Sequence, residues 1–124
     1  RGAESWFEDR RRYAAAFAAG LKALGFDLLV KDELVRSPGV TAFKCSDAEA
    51  VRKNLRVVGI EAAGGQEAFK GKLIRVAHYN DFAWPHLAMV LGSLYTAGCA
   101  EKEKCTFLED AWRVWHAYWR TWRA

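Results

Sequence analysis

The chain contains Gly59-Ile60-Glu61-Ala62-Ala63-Gly64-Gly65-Gln66 and, shortly after, Lys70-Gly71-Lys72-Leu73-Ile74-Arg75-Val76-Ala77-His78. This stretch predicts a strand that ends at a glycine pair, a basic turn and a second apolar strand with Arg75 in its middle. Arginine is always charged and rarely sits mid-strand without a partner, so we expect Arg75 to face an anion. Gly64 and Gly65 would let the backbone approach the molecule that carries this anion.

Length and composition limit the chain to one globular domain. Its 124 residues are too few for two ordinary domains, and 52% apolar with 27% charged residues is typical of a folded protein. No apolar run approaches the ~18 residues of a membrane span, so we predict no membrane partner. The first residue is Arg1 rather than Met, which indicates a fragment or a processed product.

The net charge of +4 is typical of a soluble surface with spare basic residues, and an acidic partner such as nucleic acid is the alternative. The Arg10-Arg11-Arg12 run is diluted by Glu4, Glu8 and Asp9, and no nucleic-acid-binding motif accompanies it. We therefore predict no nucleic-acid partner. Arg10 lies at the edge of an apolar helix face, where its stem can pack while its charged head reaches water.

Three cysteines, Cys45, Cys99 and Cys105, occur without a visible signal peptide. An odd number in this context indicates reduced thiols and a cytoplasmic location. Cys99 and Cys105 are close enough in sequence to pair under oxidation. No spacing of cysteine and histidine is typical of a zinc site, so we predict no metal ligands.

Hydrophobic periodicity and turn residues predict four strands and four helices. The expected strands are 27–30, 40–45, 60–63 and 72–78, and the expected helices are 4–24, 46–58, 80–98 and 106–122. This order favours an α+β fold: a two-layer sandwich with a four-stranded, mainly antiparallel or mixed sheet, helices on one face and an extra Trp-rich C-terminal helix. Residues 1–98 would form the domain, and residues 99–124 a linker and a helix that packs on it or extends it.

Local signals place the helix ends and the buried faces. Gly25 and Gly59 are expected to end the first two helices, and capping boxes are expected at 46–49 and 106–109. The buried positions predicted for the last three helices are Ala50, Val51 and Leu55; Leu87, Val90, Leu91 and Leu94; and Leu108, Ala111, Trp112, Trp115, Trp119 and Trp122.

From about Arg10 to Leu94 the sequence resembles the C-terminal small domain of class V, fold type I pyridoxal-phosphate (PLP) aminotransferases, in particular the alanine–glyoxylate and serine–pyruvate branch. Three segments carry the resemblance: Phe17 to Gly25, Arg36-Ser37-Pro38-Gly39-Val40-Thr41-Ala42, and the block from Gly59 to His78 quoted above. The last segment is the most specific because it joins several unusual residues in order.

The resemblance implies that Arg75 forms a bidentate pair with the carboxylate of a small amino-acid or keto-acid substrate, beside Gly64 and Gly65. A guanidinium fork matches two carboxylate oxygens, which independently suits this role. The family's PLP-binding lysine belongs to a large domain with no counterpart in this sequence. The resemblance therefore implies that the chain binds no cofactor and is inactive alone, with the large domain as its partner and a homo-oligomer as a further expectation.

Several residues leave alternatives open. Arg75 could instead pair with a nearby acidic side chain, and the glycine pair could simply make the turn. For His78, a structural histidine that hydrogen-bonds locally is favoured over a ligand. The tryptophan-rich helix could pack on its own sheet, form a dimer or partner interface, or lie on a membrane surface. The second function hypothesis is thus a stand-alone, non-catalytic module that associates through this helix.

Overall fold

The computed structural model describes residues 3–30, 39–78, 83–96 and 106–123. In chain order the elements are α1 (Ala3–Ala23), β1 (Asp27–Leu28), β2 (Val40–Lys44), α2 (Ala48–Val57), β3 (Ala63–Gly64), a 3-10 helix (Glu67–Phe69), β4 (Leu73–Ala77), α3 (Trp84–Thr96) and α4 (Phe107–Arg123). Apart from the 3-10 helix, the described elements follow the predicted order.

The strands form one antiparallel sheet in the order β1-β2-β4-β3. Side chains on one face of β2 and β4 are buried under the helices, whereas those on the other face are intermediate or exposed, except for Leu73, which is buried at the start of β4. Thr41, Phe43, Ile74 and Val76 point inward, so helices cover one face only. The predicted α+β fold is therefore confirmed, and the sheet is antiparallel rather than mixed.

The two edge strands are shorter than predicted, with two residues each. For β3 the reason is visible in the backbone. The Ile60 amide donates to the carbonyl of Leu55 at 2.9 Å, which ties the residue after Gly59 to the end of α2. Ile60 is thereby held against α2 instead of pairing with β4, and the strand begins only at Ala63.

The core lies between the sheet and the first three helices and continues between α1 and α4. The stripe predicted for α3 is confirmed, because all four of its residues are fully buried. In α2, Val51 and Leu55 are buried as predicted, but Ala48 takes the inward place expected for Ala50. The side chains that line the core from α1 are Tyr13, Ala16, Phe17, Leu21 and Leu24.

The glycine helix stops are confirmed, since Gly25 and Gly59 have φ values of 92° and 86°. The predicted capping box at 46–49 is wrong. Asp47 precedes α2 without a side-chain cap, and the Glu49 carboxylate pairs with Arg52 instead of reaching back. This side-chain ion pair competes for the carboxylate that the box would need.

At the start of α4, the observed side-chain contacts differ from the predicted box. The Thr106 hydroxyl donates to the Asp110 carboxylate at 3.3 Å, and Glu109 pairs with Arg113 at 3.2 Å. Other predictions lie outside the described residues: the start of the third helix at residue 80, its end at residue 98, and the linker that begins at residue 99.

α4 packs along α1 rather than on the sheet. Phe107, Ala111 and Trp115 form its buried line, at steps of four residues. The predicted inward positions of Leu108 and Trp112 are wrong, because α1, with a smaller contribution from α3, covers only a narrow stripe of α4. The side chains of Trp119 and Trp122 lie outside the described set.

Cys45 is buried at the end of β2 and is disulfide-bonded. The prediction of three reduced thiols is therefore wrong for Cys45, and the other two cysteines lie outside the described residues. Within the described ranges, no helix combines the length and the apolar character needed to cross a bilayer.

Candidate functional site

Arg75 lies on the uncovered face of the sheet. It is paired in register with Ala42 of β2 on one side and Ala63 of β3 on the other. Both neighbours are small, so nothing bulky on the adjacent strands covers the guanidinium. Its Nε donates to the carbonyl oxygen of Gly64 at 3.1 Å, which fixes one edge of the guanidinium against β3.

An open depression of about 550 Å³ surrounds Arg75. Glu61 is the one acidic side chain among the described lining residues, and it is engaged by Arg56 at 3.3 Å. Within the described part of the chain, no carboxylate forms an ion pair with Arg75. The alternative of an internal acidic partner is therefore not supported. The lining residues are Val40, Arg52, Glu61, Ala62, Ala63, Arg75 and Ala77.

Arg52, a second arginine in the depression, was not identified from the sequence. Its Nε donates to the Ala62 carbonyl at 2.8 Å, and its Nη1 donates to both carboxylate oxygens of Glu49 at 2.9 and 3.0 Å. The Glu49-x-x-Arg52 spacing places the two on one helix face, and this spacing was the available signal. Because Glu49 balances the charge of Arg52, the Arg52 guanidinium is already engaged by a carboxylate of the protein, whereas that of Arg75 is not engaged by any carboxylate of the described residues.

The two glycines have different surroundings. A Cβ at Gly65 would lie 2.4 Å from the backbone oxygen of Phe69, so Gly65 is needed for the close approach of the turn. A Cβ at Gly64 would lie 2.9 Å from Nη1 of Arg52, and the Gly64 carbonyl holds Arg75. Gly64 therefore borders the depression, whereas the surroundings of Gly65 are accounted for by the turn.

His78 lies on the opposite side of the sheet from Arg75. It follows β4, is fully buried and stacks on the Tyr13 ring with centroids 4.9 Å apart. Its Nε2 is 2.8 Å from the Thr41 hydroxyl, and its amide donates to the Gly39 carbonyl. These contacts support the prediction of a structural histidine, although its partners are distant in sequence.

Arg10 belongs to this buried polar group, which corrects the expectation that its head reaches water. Arg10 is only 1% exposed and donates from Nη1 to the His78 carbonyl at 3.4 Å. Burial raises the pKa of the Tyr13 phenol, with a smaller opposing effect of the Arg10 charge. The neutral phenol lies 2.8 Å from Nδ1 of His86, and burial lowers the pKa of His86.

The described residues do not fit PLP. An imine-forming lysine must be held within a site, and every lysine in the described ranges is exposed to solvent: Lys22, Lys44, Lys53, Lys70 and Lys72. In the same ranges, no group of three or more His, Cys, Asp or Glu side chains is arranged to hold a metal ion.

No protein-family model and no curated protein matches the sequence. Among solved structures, the chain is similar over 93% of its length to ureidoglycine–glyoxylate aminotransferase from Bacillus subtilis, with 30% identity and a TM-score of 0.78. It is similar over 88% of its length to pyridoxamine–pyruvate aminotransferase from Mesorhizobium loti, with 27% identity and a TM-score of 0.70. The chain resembles part of an aminotransferase. An aspartate aminotransferase from Thermus thermophilus, at 23% identity and a TM-score of 0.56 over 72% of the chain, shares the fold.

The predicted resemblance is therefore confirmed. The chain spans about a third of the first two aminotransferases, 32% and 30% of their lengths, as expected for a C-terminal small domain. The 93% coverage is more than residues 1–98 could supply, so the likeness extends into the part of the chain that begins at residue 99. The division into 1–98 and 99–124 stays a prediction.

Proposed function

We propose that this chain is the substrate-carboxylate-binding small domain of a PLP-dependent aminotransferase, which transfers an amino group between an amino acid and a 2-oxo acid. One observation carries the proposal. Arg75 projects from the uncovered sheet face into an open depression, without an acidic partner among the described residues. The likeness to two aminotransferases over most of the chain supports the same reading.

The geometry around Arg75 suits a small carboxylate. Its Nε is engaged by Gly64, and this contact leaves the two terminal nitrogens for the two oxygens of a carboxylate. A strand at the centre of the sheet holds the side chain more rigidly than a loop would. The flanking Ala42 and Ala63 leave room for a short substrate close to the sheet.

The rest of the reaction belongs to a partner. When bound in the large domain, PLP would supply the electron sink for amino transfer, together with a lysine that the described residues of this chain do not provide. We therefore infer that the chain alone is inactive and that the large domain is its required partner, as part of the same polypeptide or as a separate one.

The test is a titration of the chain with pyruvate, followed in heteronuclear NMR spectra by the arginine Nε–Hε signals and by the backbone amide signals of β3 and β4, which remain in variants of Arg75. We expect the Arg75 signal to shift with a Kd on the order of 1 mM, since a single open ion pair binds weakly. Arg75→Gln should abolish binding, whereas Arg113→Gln, an exposed arginine on α4, should retain it. If Arg75→Gln bound pyruvate with the same Kd as the unmodified chain, Arg75 would not be the carboxylate-binding residue.

In the enzyme that contains both domains, Arg75→Ala should lower kcat/KM for carboxylate substrates about 100-fold, the scale of losing a charge-assisted contact of about 3 kcal/mol. PLP incorporation, followed by its absorbance, should survive. Unchanged activity would mean that another group holds the carboxylate.

A second candidate function, self-association or partner binding through α4, is favoured by a specific observation. Trp112 is 46% exposed on this helix and packs edge-on against Trp84 with ring centroids 5.0 Å apart. An exposed tryptophan of this kind is typical of an interface residue.

A further inference from the structure

β3 is the weakest part of the wall around Arg75. It has two residues, lies at the edge of the sheet, and is paired only through Ala63 with Arg75 and Gly64 with Ile74. So short a strand gains little from its own hydrogen bonds. Yet its Gly64 carbonyl is the group that fixes the Arg75 guanidinium. The position of β3 therefore needs further support.

Arg52 provides that support from α2. Its Nε binds the Ala62 carbonyl directly before β3, at 2.8 Å, and its Nη1 is anchored by both oxygens of Glu49 on the preceding turn of the same helix. We call these three residues, Glu49, Arg52 and Ala62, the Arg52 bridge. With 22% of its side chain exposed, Arg52 is more protected than the 62% exposed Glu49.

The Arg52 bridge also contacts Gly64. Nη1 of Arg52 lies 2.9 Å from the point where a Gly64 Cβ would be, so the guanidinium packs against the bare backbone of β3. The contacts then continue from the Gly64 carbonyl to Nε of Arg75 at 3.1 Å. An unbroken series of contacts thus joins α2 to the Arg75 guanidinium.

We propose that Arg52 is a positioning residue: it holds β3 so that the Gly64 carbonyl orients Arg75 toward a substrate carboxylate. This inference rests on the proposed function, because it assigns Arg52 a role through Arg75. A fork-shaped donor is required, since the bridge uses Nε and Nη1 in two directions at once. A lysine at this position keeps the charge but cannot make both contacts.

The experiment compares the unmodified chain with Arg52→Gln, Arg52→Lys and Lys53→Gln. Lys53 is the exposed neighbour on α2, and its substitution removes the same charge. Two quantities are measured: hydrogen exchange of the Arg75 Nε–Hε group without ligand, and the Kd for pyruvate. We expect both Arg52 variants to accelerate exchange and to weaken pyruvate binding about tenfold, the scale of one lost positioning hydrogen bond. Lys53→Gln should change neither quantity.

The outcomes separate the inference from the proposed function. If the unmodified chain does not bind pyruvate, the proposed function fails, while faster Arg75 exchange in the Arg52 variants still supports the contact between α2 and Arg75. If exchange and Kd in both variants equal those of the unmodified chain, the positioning role is refuted. If Arg52→Lys alone kept the Arg75 exchange rate and the Kd of the unmodified chain, the role of Arg52 would be purely electrostatic. That result would also refute the positioning role.

A melting temperature that falls without a change in Arg75 exchange would show a merely structural role and count against the inference. Should Arg52→Gln fail to give a dispersed spectrum, Glu49→Gln replaces it. Glu49 is exposed, so its loss should not prevent folding, and it removes the anchor of Nη1. Faster Arg75 exchange in Glu49→Gln supports the bridge, and unchanged exchange overturns it.

Discussion

Gly65 and Gly92 have opposite surroundings and provide a matched test of the turn beside the site. A Cβ at Gly65 would lie 2.4 Å from a backbone oxygen, whereas a Cβ at Gly92, within α3, would meet nothing within 4 Å. We expect Gly65→Ala to lower the free energy of unfolding by about 1–3 kcal/mol through steric overlap. Gly92→Ala should raise it by about 0.5–1 kcal/mol because alanine favours helix.

Urea unfolding of both variants measures these changes. A Gly65→Ala variant as stable as the unmodified chain would show that the backbone of residues 65–69 adjusts freely. In that case the turn would not constrain the glycine pair.

His86 makes stability depend on pH. Burial lowers its pKa from the ordinary value of 6.5, so the folded state favours the neutral ring. The unfolded state therefore binds the proton more readily, and the contribution of His86 to stability, present above pH 6.5, is lost as the pH falls through the lower folded pKa.

We expect the free energy of unfolding to decrease from about pH 7.5 to pH 5, with a smaller decrease in His86→Gln. His116→Gln, at an exposed position of α4, is the control and should behave like the unmodified chain. Identical pH profiles for His86→Gln and the unmodified chain would contradict this prediction.

Arg75 and Arg10 show what sequence reasoning can detect at single residues. Arg75 was identified because a permanently charged side chain stands in the middle of an apolar strand, and this is a local property of the sequence. Burial of Arg10 depends on a carbonyl that lies 68 positions later in the chain, at His78. Periodicity within α1 carries no information about that acceptor, so the expected solvation of its head was wrong.

Arg12 links α1 to α4. Its Nε donates to the carbonyl of Trp115 at 2.8 Å, and its guanidinium carbon lies 3.8 Å from the centre of a Trp115 ring. Arg12→Ala should lower the free energy of unfolding by about 1–3 kcal/mol, from the lost hydrogen bond and cation–π contact. Arg11→Ala, at an exposed position next to it, should change stability by no more than about 0.5 kcal/mol.

Chemical denaturation of the two variants provides the comparison. Equal losses for Arg12→Ala and Arg11→Ala would mean that general charge on α1, rather than the specific contact with Trp115, matters for α4.

The buried face of a helix was easier to predict where a broad part of the helix is covered than where the cover is narrow. The four buried residues of α3 follow from their spacing, because the sheet and the other helices cover a broad face of it. For α4 the same reasoning placed Trp112 inward, but α1 and the smaller contact with α3 cover a narrower line and leave Trp112 46% exposed. The capping box before α2 failed because Glu49 had a better partner in Arg52, which a short motif cannot anticipate.

The exposed face of α4 raises the question of self-association. Trp112 exposes nearly half of its surface on this helix. If the chain self-associates, its apparent mass in sedimentation equilibrium rises with protein concentration, and Trp112→Gln should make this rise smaller. Arg113→Gln, at the next exposed position, should leave the mass unchanged. A mass independent of concentration in the unmodified chain would contradict the association hypothesis.

The architecture as a whole was predictable because element order and turn chemistry restrict a short α+β chain to few topologies. The ends of the strands were not predictable in this way, since Ile60 is hydrogen-bonded to Leu55 of α2 rather than to the sheet. Of the candidate site, Arg75 and the glycine pair came from the sequence, whereas Arg52 emerged only once α2 and β3 were placed side by side.

Residues 74 to 76 of β4 alternate between inward and outward positions, so the inward side chains pack in the core while the outward side chain faces solvent. We expect changes at Ile74 and Val76 to alter the stability of the domain, and changes at Arg75 to alter the proposed binding of a carboxylate. An insertion or deletion of one residue ahead of Arg75 within the strand would reverse the two faces. The Arg75 guanidinium would then point into the apolar core, and a valine or isoleucine would be exposed to water. Divergence of this strand should therefore proceed by substitution and not by changes in length.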